Sequence, residues 1–89
     1  MTSLADIRKK IDELDDEIIN LLSRRLECVV ETLEKKDKIE DINREYQIIQ
    51  KLKDRAVNAE TEQYLAEIYK SIFKEGKRIQ EKIKNEKKY

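Results

Sequence analysis

The 89-residue chain contains no proline, no histidine, no tryptophan, a single glycine (Gly76) and a single cysteine (Cys28). Without proline and with one glycine, it lacks the turn residues that a sheet of several strands requires. The expected class is therefore all-α, in one domain covering residues 1–89. The absence of histidine excludes zinc clusters and Cys/His or Ser/His catalysis, and a lone cysteine excludes an intrachain disulfide. No metal and no cofactor is expected, and Cys28 reads as a small buried or half-buried residue. There is no apolar run of eighteen residues and no signal-peptide pattern, so a soluble cytoplasmic protein without a membrane partner is the expectation. Charge of one sign is also missing: twenty Lys and Arg balance twenty Asp and Glu. That balance argues against a nucleic-acid partner held by phosphate neutralisation.

What the chain does have is charge and helical periodicity. Charged residues make up 45% of it, and three amphipathic segments follow one another. The first helix is expected over about Ala5 to Lys36, with Ser3 or Thr2 as N-cap and Asp6 in its first turn. The periodicity weakens around Asp37 to Glu40, where Asp41 can cap a second helix over about Ile42 to Val57. The stretch Asn58 to Thr61 is the next candidate break, before a third helix over about Glu62 to Lys84. A rival parse runs helix 1 through Ile39, Ile42 and Tyr46 as one coiled coil. Asp37, Asp41 and Asn43 are poor interior helix formers and favour the turn.

A first helix of that length spans roughly 50 Å at about 1.5 Å per residue. A compact globule of this size has a radius of gyration of only about 12 Å. The rest of one chain cannot cover both ends of such a helix, so a homodimer is expected.

The first stripe contains an anomaly. Leu4, Ile7, Ile11, Leu14, Ile18, Leu21, Val29 and Leu33 recur at helical steps, and position 25 of that stripe is an arginine. A guanidinium keeps its charge at neutral pH, so placing it on an apolar stripe asks for an anionic partner. Lys36 follows eleven positions later, rotated by about 20° and about 16 Å along the axis. Glu45 takes a stripe position in helix 2, with Arg44 beside it, and Gln80 neighbours the stripe of helix 3 near Gly76. Each alone reads as a long side chain reaching past the edge of a core. Together they suggest a cavity lined for a small anionic, hydroxylated ligand. Arg8 lies about 25 Å before Arg25 and about 100° around the helix. Those two arginines can serve one site only if Arg8 comes from a second subunit.

Three motifs then become recognisable. Arg8-Lys-Lys-Ile11-Asp12-Glu-Leu14-Asp15-Asp-Glu-Ile18 with Leu21-Leu22-Ser-Arg24-Arg25 resembles the first helix of the all-helical chorismate mutases. Asp41-Ile-Asn-Arg44-Glu45 resembles the second-helix motif of that family, and Ile68 to Gln80 resembles its third. The resemblance implies an intertwined homodimer of three-helix protomers. It also implies a cofactor-free Claisen rearrangement of chorismate to prephenate on the route to phenylalanine and tyrosine.

Carried over by motif, Arg25 binds a substrate carboxylate, joined by Arg8 of the partner subunit. Lys36 and Gln80 donate to the ether oxygen, Glu45 and the backbone at Asp41 hold the ring hydroxyl, and Arg44 supports the edge of the site. Two departures stand out. The segment between Lys36 and Asp41 is shorter than in better-known members, so that Lys35 or Lys38 could take the place of Lys36. Gly76 stands where many members have a serine near the substrate carboxylate, and close approach of substrate or helix to that backbone would explain it. Alternatives are an isochorismate pyruvate lyase of the same fold, or a helical dimerisation or regulatory module without turnover.

Overall fold

Ser3 starts the first helix. Its Oγ accepts the Asp6 N–H at 3.1 Å, while Asp6 Oδ2 accepts the Ser3 N–H at 3.3 Å. This reciprocal pair satisfies two donors that a helix start leaves unpaired. The computed structural model describes residues 2–35 and 41–86. Helix α1 spans Leu4–Glu31 and tightens into one 3-10 turn, Thr32–Glu34; α2 spans Ile42–Arg55 and α3 spans Ala59–Glu86. The described residues are all helix and connection, without a strand, as the missing turn residues require. None of these helices is long and apolar enough to cross a membrane.

Three of the boundaries that differ from expectation have a visible cause. Regular α1 ends at Glu31, not Lys36, where the Thr32 hydroxyl donates to the Val29 carbonyl at 2.6 Å. A hydroxyl bonded back to the preceding turn competes with the ladder at a helix end. Helix α2 is capped by Asp41, whose Oδ1 accepts the Arg44 N–H at 3.0 Å. It stops at Arg55 because Ala56 turns extended, at φ −68° and ψ 137°. The third helix begins at Ala59, three residues before the expected Glu62. Asn58 is its cap rather than part of a loop: Asn58 Oδ1 accepts the Thr61 N–H at 2.8 Å.

The molecule is elongated, 59 × 26 × 16 Å, with a radius of gyration of 16.6 Å. A compact globule of this length would have about 12 Å. Among the described residues the only buried apolar side chain is Leu52, and the only buried polar one is Gln80. The helices meet around the C-terminal end of α1, where Arg25, Val29 and Thr32 contact α3. Its N-terminal half projects without cover: Leu4, Ile7, Ile11, Leu14, Ile18 and Leu21 are all 45–60% exposed. The stripe predicted from periodicity is present, and this chain alone does not bury it.

Candidate active site

A cavity of about 270 Å³ opens where α1, the start of α2 and the middle of α3 converge. Arg25, Asp41, Arg44, Glu45, Gly76 and Gln80 all line it. These are six of the eight residues expected to form a site. Arg8 is exposed near the far end of α1 and is not brought to the cavity. Lys36 lies outside the described residues, as does Lys38.

Arg25 sits half-buried in the cavity wall, held by two rings of α3. Its guanidinium carbon is 5.9 Å from the centroid of Tyr69 and 5.8 Å from that of Phe73. The rings themselves pack tilted, with centroids 5.8 Å apart. Aromatic faces attract a cation without neutralising it, at about 0.5–1 kcal/mol each where water still reaches. Among the described residues Arg25 has no carboxylate within ion-pair distance. The anionic partner that its position asked for is not in this part of the chain.

Gln80 is 3% exposed and reaches across to the end of α1. Its Nε2 donates to the Val29 carbonyl at 2.8 Å and to the Thr32 hydroxyl oxygen at 3.1 Å. Helix ends leave carbonyls without partners, and this amide from α3 serves one of them. Both N–H groups of the amide are therefore engaged in the ligand-free protein. Delivering one to a ligand oxygen, as the resemblance implies, requires release of the longer bond, to Thr32. Thr32 also lines the cavity.

On the opposite side, α2 contributes Glu45 within its first turn, where a negative charge suits the helix dipole. Glu45 Oε1 is paired with Lys77 Nζ at 2.9 Å, and both residues line the cavity. Arg44 is exposed and reaches Gln47 Oε1 only at 3.5 Å. The Asp41 carboxylate is committed to its cap, which leaves its backbone as the group able to meet a ligand. Counting charges on the described lining, three cations (Arg25, Arg44, Lys77) face two carboxylates. The cavity favours anions.

Two expectations need correction. Cys28 is exposed, not buried or half-buried, and it lines the cavity. It sits between Arg25 and Val29 on a helix that packs only along one edge there. Gly76 is buried, but no close helix approach demands a glycine: a Cβ added there would meet only Val29 Cγ1, at 3.7 Å, an ordinary contact. Its φ is not positive either. Gly76→Ala should therefore stabilise the fold by about 0.5–1 kcal/mol through helix propensity. The check is a denaturant titration; a lowered midpoint would mean that the cavity floor cannot accept a methyl group.

Sequence reasoning missed Lys77, Thr32 and the pair Tyr69 and Phe73 as parts of the site. Lys77 is one of twenty basic residues and lies one position off the apolar stripe, so periodicity does not mark it. The role of Phe73 as a seat for Arg25 depends on how α1 and α3 are rotated against each other. The best available clue was the i, i+4 spacing of Tyr69 and Phe73, which puts two aromatics on one face.

A family model described as chorismate mutase type II matches residues 7–81. No curated protein and no solved structure matches the chain.

Proposed function

Because the chain belongs to the chorismate mutase type II family, we propose that chorismate rearranges to prephenate in the cavity between its three helices. Membership makes the protein an isomerase of aromatic amino acid biosynthesis, with chorismate as substrate. The observation that carries the assignment of the site is Arg25, a cavity-lining guanidinium seated on two rings and lacking a carboxylate among the described residues. A planar cation in that state suits bidentate capture of a substrate carboxylate. The cavity, at about 270 Å³, suits a small metabolite rather than a dinucleotide.

The reaction needs no nucleophile, metal or general base, because the C–O bond breaks and the C–C bond forms within one molecule. What remains is to hold a dicarboxylate in a chair-like conformer and to stabilise charge growing on the ether oxygen. Arg25 anchors one carboxylate, joined by Arg8 of a second copy. Gln80 turns one N–H from Thr32 to the ether oxygen, and Lys36 adds a cation there. Glu45, through the oxygen not paired with Lys77, accepts the ring hydroxyl together with the backbone at Asp41. Arg44 supports the rim, and Gly76 leaves open the space beside the carboxylate.

Arg8 lies far from Arg25 on the same helix, so this arrangement requires a homodimer. The uncovered stripe from Leu4 to Leu21 supports one, since a contiguous apolar face of that length is rare on a soluble monomer. A second copy laid along α1 covers the stripe and delivers Arg8.

The test is direct. Purified protein supplied with chorismate should deplete its ultraviolet absorbance and form prephenate. Pyruvate release from isochorismate without prephenate from chorismate would reassign the chain to the lyase. Absence of turnover, with no binding of a transition-state mimic, would leave a helical dimerisation or regulatory module.

A further inference from the structure

Lys77 stands at a boundary. It and Glu45 line the cavity described above, and both also line a second one that extends over Lys70, Lys74 and Arg78. Their 2.9 Å ion pair joins α3 to α2, with side chains 31% and 21% exposed. The Lys70–Glu67 and Arg78–Glu75 pairs are different in kind, being exposed and local to α3. Exposed local pairs contribute little. A partly buried pair between helices fixes where both charges sit.

The reading of this cavity as a site for a dianion raises a difficulty. Glu45 places a negative charge in the same cavity as two substrate carboxylates, and like charges repel strongly where water is scarce. A carboxylate can act there as a hydrogen-bond acceptor only if a cation offsets its charge and holds its rotamer. We propose that Lys77 is that cation, a positioning residue that neutralises and orients Glu45 so that a carboxylate can accept the hydroxyl of a dianionic ligand. The inference rests on the function proposed above and adds a residue to it.

The pair also explains why a lysine is found at this point of α3. Lys77 follows the open floor at Gly76 and precedes Gln80 by one helical turn, so its stem runs along the cavity wall while its ammonium reaches α2. In the ligand-free protein Glu45 is already held, and little of its freedom remains to be lost when the ligand arrives.

The experiment is a double-mutant cycle read in steady-state kinetics on chorismate, with helicity checked by circular dichroism. Lys77→Met, which keeps the length and loses the charge, should lower kcat/KM about tenfold, mostly by raising KM, because repulsion acts on the bound dianion before reaction. Lys77→Arg should restore it to within about threefold, since it keeps the cation. In a Glu45→Gln background, where there is no charge to offset, Lys77→Met should change kcat/KM by less than about twofold. An equal tenfold loss in that background would overturn the proposal and place Lys77 on the ligand itself. An unchanged kcat/KM for Lys77→Met alone would overturn it as well. If the unsubstituted chain does not turn chorismate over, the reading of the cavity falls and takes this inference with it. Turnover by the unsubstituted chain separates the two failures.

Discussion

Arg25→Ala should remove nearly all chorismate turnover, lowering kcat/KM by about a thousandfold, while the helices remain folded. Truncating one side of a desolvated charge pair typically costs about 2–5 kcal/mol, and about 4 kcal/mol corresponds to that factor. The fold should lose far less, because Arg25 contributes two ring contacts to the protomer and is not tied to a carboxylate among the described residues. Such contacts, where water still reaches, contribute about 0.5–1 kcal/mol each. Arg25→Lys should fall between, since it keeps the charge and loses the planar fork that seats on Tyr69 and Phe73. Kinetics and a thermal melt on the same samples make the comparison. Near-normal kcat/KM in Arg25→Ala would show that the substrate carboxylate is anchored elsewhere.

The second large effect is a recovery. Arg8→Ala and Arg25→Ala proteins, each inactive alone, should regain activity when mixed and allowed to exchange subunits. At equal concentrations half of the dimers are mixed, and each has one intact site of two, so about a quarter of the unsubstituted activity should return. Arg8 and Arg25 both belong to α1, and the unbroken run of that helix keeps Arg8 away from the cavity that Arg25 lines. The two variants are equal in mass, so native mass spectrometry verifies exchange when one of them is isotope-labelled. No recovery despite verified exchange would place the whole site within one chain.

Much of this architecture is legible in the residues themselves. Missing proline and glycine select helices, Ser3 and Asp41 announce two helix starts, and the interrupted stripe marks Arg25. Six residues singled out from stripe and motif meet at one cavity. What is not legible depends on one helix seen from another. Asn58 resembles a loop residue until its side chain is seen capping Thr61. Cys28 lies beside the stripe, and the stripe does not say how much of its flank a neighbour covers. Gln80 is marked as polar near an apolar face, yet its bonds to Val29 and Thr32 cross 51 and 48 residues of sequence, beyond any periodic pattern. Lys77 finds its meaning only when α2 brings Glu45 to it.

Leu52 carries a further consequence. A protomer that buries one apolar side chain among its described residues has almost no stability of its own to draw on. If the α1 stripe is covered by a second copy, folding and association become a single equilibrium, and mass action governs both. Dilution then acts as a denaturant, and the amount of chain present determines how much of it is folded. Synthesis level would then become a form of control over this enzyme that needs no bound effector.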